Sequence, residues 1–216
     1  MRIIHVLSVL VIAVIFAACA STNEPTGVWV NKEKAQGKKF HNIFIVVMTA
    51  DIEARTTVEK DLATAATNRG FKAVRSTDVL KFSFDDPKVP SREEVVSKVK
   101  ASGCDAVLVA TLLKKDDSLR YNPESTVYSQ MPYYTHTGNY YGYYSNYYTT
   151  VSNNAYYTQD KSYFMQSNLY DVASEEIMWS AQSKVFNPTS LAVFSRTYTT
   201  TLMKQLEKEL SLKKKQ

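Results

Sequence analysis

Apolar runs and three-to-four-residue apolar periodicities alternate along most of this chain. Ile43 to Met48 is almost wholly apolar, which predicts a strand over 40–50 buried on both faces. Between 52 and 69, Val58, Leu62, Ala65 and Ala66 fall on one helical face, and Gly70 supplies a left-handed stop. Phe71 to Arg75 reads as a short second strand. Pro90 and Ser91 lead into another helix, with Ser91-x-x-Glu94 as a capping box, an apolar face of Val95, Val96 and Val99, and Gly103 at its end. Asp105 to Leu113 is a third strand, again nearly all apolar. Strands alternating with helices imply crossover connections and parallel pairs.

The second half changes register. Residues 162–172 and 176–186 predict a hairpin. In its second arm Ile177, Trp179, Ala181, Ser183 and Val185 share one face, and Met178, Ser180, Gln182 and Lys184 share the other, the pattern of a half-buried strand. The connection around Ala173-Ser174-Glu175 lacks the Gly such turns favour. A last helix starts at Asn187-Pro188, with Asn187 as its cap. Leu191, Phe194, Tyr198, Leu202, Leu206 and Leu210 form its stripe, and Lys213 to Lys215 suit its negative end. The fold class is therefore α/β: a single domain over 40–212 with a mixed sheet of about five strands, in the order β-α-β-α-β, an insertion, then β-β-α.

The first nineteen residues set a compartment. Arg2 is followed by an apolar stretch to Ala18 that is short for a membrane span, and small residues precede Cys19, as in a secretory signal. Phe16-Ala17-Ala18-Cys19 resembles a bacterial lipobox. On that reading 1–18 is a signal peptide, Cys19 is lipidated, and 19–39 is a polar tether. Trp29 then docks on the domain or sits at the membrane interface. Two or more acyl chains hold a protein stably at a bilayer where one does not. A signal simply cleaved after Ala18, or an uncleaved anchor, is the alternative. Ala20, where an Asp would retain a lipoprotein at the inner membrane, favours the outer membrane facing the periplasm. With Cys19 acylated, Cys104 has no disulfide partner and reads as a buried structural thiol.

Composition adds one anomaly. The mean hydropathy of −0.27 excludes a multi-span membrane protein, and the net charge of +5 is moderate. Thirteen of the 15 tyrosines, however, lie between Tyr121 and Tyr163. The biased segment 121–161 sits between two strands, where a long insertion is usually functional or disordered. Tyr133, Tyr134, Tyr140, Tyr141, Tyr143, Tyr144, Tyr147 and Tyr148 are its candidate binding residues. Rows of aromatic rings can stack bases. Yet no Lys or Arg occurs from Tyr121 to Gln159, so phosphate affinity is missing and no nucleic acid is expected. Peptidoglycan or another envelope protein fits neutral tyrosines better. A tolerated insertion without a partner is the competing view.

Catalytic motifs are missing: no H-E-x-x-H, G-x-S-x-G, P-loop or C-x-x-C occurs. No metal or cofactor is expected. His41 and His136 have no evident nucleophile or ligand nearby in sequence. Asp85-Asp86 and Asp116-Asp117 read as solvated turns, and Arg55 with Glu59 as a surface ion pair.

The strand at 40–48 followed by Arg55-x-x-x-Glu59, the Tyr-rich insertion, and Asn168-Leu169-Tyr170-Asp171 followed by Met178-Trp179-Ser180 together resemble the bacterial lipoprotein family called domain of unknown function 4136, over roughly 38–210. Members typically carry a Gly in the hairpin turn, where Glu175 stands here. The resemblance implies that Trp179 and Leu169 serve hairpin packing, a fold like small periplasmic α/β domains, and no catalytic residue. The expected function is a membrane-anchored, non-catalytic binding or assembly module with the Tyr tract as contact surface. A purely structural envelope lipoprotein, or a hydrolase with dispersed residues, is the alternative.

Overall fold

A computed structural model of the chain describes residues 23–35, 37–81, 90–117, 140 and 161–210. Within them the strands are β1 (Asn23–Val30), β2 (Asn42–Met48), β3 (Lys72–Arg75), β4 (Ala106–Asp117), β5 (Lys161–Asp171) and β6 (Ile177–Phe186). The helices are α1 (Lys32–Ala35), α2 (Ile52–Thr67), α3 (Ser76–Val79), α4 (Arg92–Ala101) and α5 (Leu191–Leu210). All six strands form one sheet in the order β1-β6-β5-β4-β2-β3. The β2–β3 and β2–β4 pairs are parallel; β4–β5, β5–β6 and β6–β1 are antiparallel. The expected α/β class with a mixed sheet is what the chain adopts.

The sheet has one strand more than expected, and it comes from the presumed tether. Residues 23–30 pair along β6, from Asn23 opposite Val185 to Val30 opposite Trp179, with a bulge between Pro25 and Gly27. A proline and a bulge are tolerated here because β1 is an edge strand. Trp29 lies opposite Ser180, half-buried, as part of the sheet. The tether of 19–39 is thereby corrected.

Two helices reach opposite faces for a topological reason. From β2 the chain crosses through α2 to β3 on one side; from β3 it crosses back through α4 to β4 on the other. Crossovers of one hand travelling in opposite directions must cover opposite faces. One core lies under α2 and α5, built from Ile43, Ile45, Val47, Leu108, Leu169, Trp179, Leu202 and their neighbours. The second lies under α4, where Phe44, Val46, Met48, Val107 and Val109 meet Val95, Val96 and Val99. β2 feeds both, so its apolar run is unbroken.

Local signals account for most boundaries. Asp51 caps α2, its carboxylate accepting from the amides of Glu53 and Ala54 at 3.0 Å each. Gly70 and Gly103 follow α2 and α4 with φ of +88° and +70°, where a Cβ would be strained. Ser91 caps α4 by accepting from the Glu94 amide. Only half the capping box forms, because the Glu94 side chain pairs with Lys98 instead. Asn187 is not the cap of α5: it takes φ +42°, and Ser190 does the capping, with its hydroxyl accepting from Val193 and its carbonyl from Phe194. β6 is also more buried than a half-buried strand. Met178 and Ser180 are covered as fully as Trp179, since Ser180 is satisfied by hydrogen bonding within the sheet.

Candidate functional site

The polar motif of the hairpin is an internal clasp. Asn168 and Ser180 lie opposite one another on β5 and β6. The Ser180 hydroxyl donates to Asn168 Oδ1 at 2.7 Å, and Asn168 Nδ2 donates to the Tyr170 hydroxyl at 3.1 Å. On the other face Leu169 lies opposite Trp179, both buried, so both residues are hairpin core. Asp171 ends the arm. It accepts from the Ser174 amide and hydroxyl and pairs with Lys38 at 2.6 Å. Burial alone would raise its carboxyl, but these donors outweigh that and hold it below the usual carboxylate range. Glu175 takes the turn position with φ +59° and reaches Arg92 at 2.8 Å.

Arg55 and Glu59 do not form a surface pair. Both are buried, and Glu59 collects its partners from three elements. Its Oε1 accepts from the Val47 amide at 3.1 Å, from Arg55 Nε at 3.3 Å and from the Ser76 hydroxyl; its Oε2 accepts from the Thr77 amide at 2.9 Å. Arg55 Nη2 donates to Ser76 Oγ at 2.8 Å. This cluster sits at the carboxyl ends of β2 and β3, where it ties α2 to the end of β2 and to the first turn of α3.

The remaining titratable candidates have local roles. Asp105 accepts from the amides of His41 and Asn42, holding the start of β2, and the exposed His41 ring lies 3.4 Å from it. Cys104 is buried and free, and burial raises its thiol. Asp116 pairs with Lys114 within β4. Among the described residues no three His, Cys, Asp or Glu gather as a metal site. His136 and Asp85-Asp86 lie outside the described residues.

Of the tyrosine tract, Tyr140 is the described member, and it is not a surface residue. It is 2% exposed and sits in the second core. Its ring meets Tyr170 edge-on, with centroids 6.3 Å apart. Burial, then the charge of Glu175, push its hydroxyl up to about 12. That hydroxyl has no hydrogen-bond partner among the described residues. Tyr140 is therefore a packing residue, which corrects its assignment as a binding residue. Tyr133, Tyr134, Tyr141, Tyr143, Tyr144, Tyr147 and Tyr148 lie outside the described residues, as does Cys19.

One end of the sheet gathers features that sequence reading did not connect. Asn23, four positions after Cys19, lies opposite Val185. Phe186 lies opposite Ser162, and Asp117, where the chain leaves for the tract, lies opposite Lys161. The Lys184 ammonium lies over the rings of Phe164 and Phe186, 5.3 and 5.6 Å from their centroids. Phe186 is 48% exposed. The available signal was the two phenylalanines on the otherwise polar face of the hairpin. No helix among the described residues is long and apolar enough to cross a membrane.

No protein-family model and no curated protein matches the chain. Among solved structures, the PelC dodecamer from Paraburkholderia phytofirmans is similar at a TM-score of 0.43 and 14% identity, covering 91% of this chain and 99% of that one. A single-substitution variant of that dodecamer gives 0.44, 10%, 90% and 99%. Lipoprotein GNA1162 from Neisseria meningitidis gives 0.40, 13%, 78% and 99%. Likeness at this level carries no weight for function.

Proposed function

We propose that this chain is a lipid-anchored protein of the bacterial cell envelope, at the outer membrane and facing the periplasm, that acts by binding rather than by catalysis. The observation that carries the reading is the spacing between Cys19 and the fold. β1 begins at Asn23, so only Ala20, Ser21 and Thr22 separate the lipobox cysteine from the sheet. Four residues reach at most about 14 Å. An acylated Cys19 holds the folded body against its bilayer rather than on a long leash, a geometry suited to contacts made within the envelope. The tyrosines of 121–161 other than Tyr140 are the contact surface, for a neighbouring envelope protein or for peptidoglycan.

Mass spectrometry of the mature protein tests the anchor. The expected result is an N-terminal Cys19 carrying a diacylglyceryl group, with a Cys19→Ser variant lost from the membrane fraction. An identical leader cleavage and membrane fraction in that variant would overturn the reading. Crosslinking in the native envelope tests the binding surface. Replacing Tyr133, Tyr134, Tyr143, Tyr144, Tyr147 and Tyr148 by Ser should remove the adducts while leaving Tyr140 in its core; adducts that persist place the surface elsewhere.

A further inference from the structure

The Cys19 reading can be deepened, because β1 fixes which end of the molecule meets the bilayer. The strand enters the sheet at the end where β6 finishes with Phe186. Helix positions place Ile52 there too. Asp61 on α2 bonds to Ser195 on α5, and farther along Arg69 pairs with Glu207, so the two helices run parallel. α2 begins nine residues before Asp61, and α5 begins four residues before Ser195. At 1.5 Å per residue, the start of α2 lies about 8 Å beyond the start of α5, and α5 itself follows Phe186 by five positions. Ile52 is 58% exposed and Phe186 48%; with Val28 at 38% they are the most exposed large apolar side chains among the described residues. The two largest exposures thus fall at the end from which the anchor departs. At the same end, on the face of the sheet away from α2, Lys184 lies with its ammonium over the rings of Phe164 and Phe186. A cation on an aliphatic stem beside aromatic rings suits the headgroup boundary, where rings sit among glycerol groups and ammonium meets phosphate.

We infer that Ile52, Phe186 and the Lys184 ammonium beside it form a membrane-contact surface at this end of the molecule, resting in the interfacial layer of the same bilayer that holds the acyl chains of Cys19. The inference depends on the anchored reading, and the occupant it commits to is lipid. The anchor supplies most of the affinity; the surface sets orientation, turning the start of β3 and the hairpin turn at Glu175 away from the membrane.

The test uses the full lipidated chain in phosphatidylethanolamine–phosphatidylglycerol vesicles, in a Cys104→Ala background. An environment-sensitive fluorophore is attached at Ile52→Cys, Phe186→Cys or, at the far end, Lys72→Cys. The expected result is a blue-shifted emission that doxyl-labelled lipids quench at 52 and 186, with no shift or quenching at 72. Quenching at 52 and 186 no greater than at 72, in protein that floats with the vesicles, would overturn the surface and leave the anchor standing. Protein that does not float removes both. A Cys19→Ser form in lipid-free buffer should show solvent-exposed emission at 186. Emission already shielded there would mean that protein, not lipid, covers the site, and the inference fails.

Discussion

Arg55 and Glu59 stand one helical turn apart on α2, and both are shut off from solvent, joined at 3.3 Å. Their partners on β2, Ser76 and Thr77 tie the helix to the ends of two strands. Removing one partner leaves an uncompensated buried charge, which costs about 3–5 kcal/mol. Glu59→Ala should lower stability by that order in urea denaturation. Arg55→Met with Glu59→Leu should recover only part of it: the charge is gone, but the amides of Val47 and Thr77 still lose their acceptor.

Tyr140 contributes through its ring and not its hydroxyl. Tyr140→Ala opens a cavity beside Tyr170 and should cost about 3–5 kcal/mol, as large-to-small aromatic substitutions do. Tyr140→Phe should change the unfolding midpoint little or raise it, because the lost hydroxyl is buried without a partner among the described residues. Deleting 125–158 is consequently not silent: it should destabilise the body by an amount similar to Tyr140→Ala.

Asp171 gives the fold an acid limb. Its folded carboxyl lies below the usual range through Lys38 and Ser174, despite burial. The unfolded state therefore takes up the proton first as pH falls. The contribution is fully present above the unfolded value, about 3.9, and is lost as pH drops through the lower folded value. Thermal unfolding from pH 6 to pH 2 should show a loss below about pH 4 that shrinks in Asp171→Asn.

Glu175 holds a left-handed conformation at φ +59°, which costs a non-glycine residue roughly 1 kcal/mol. It also bonds Arg92 from a mostly covered position. Glu175→Ala keeps the strain and loses the ion pair; Glu175→Gly loses the pair but relieves the strain. The glycine variant should melt higher than the alanine variant, by an amount near 1 kcal/mol.

The parts of this fold that could be read from sequence are those where one local pattern dominates. The unbroken apolar run of β2, the cap at Ser91 and the glycines at 70 and 103 each report a backbone requirement that neighbours cannot override. The misread parts depend on partners distant in the chain. Residues 23–30 look polar because an edge strand shows solvent on one side and needs only Trp29 and Val30 to dock. Arg55 and Glu59 carry the spacing of a surface pair, and only β2 and β3 arriving over them make the pair internal. Tyr140 is indistinguishable from its neighbours in the tract until its seat beside Tyr170 is known. Asn187 has the chemistry of a cap, but Ser190 stands where the first free amides are.

If Cys19 carries the proposed anchor, the stretch that follows it is also the outermost ribbon of the sheet, and the two cannot be parted harmlessly. A protease trimming the N-terminus as far as Asn31 would free the body from the membrane and at the same moment strip the guard from β6. Its backbone groups, next to Trp179 and Val185, would then be open to another chain. Shedding of this protein should therefore yield aggregates rather than a soluble fragment, and a cut that spares solubility has only Ala20, Ser21 and Thr22 to fall in.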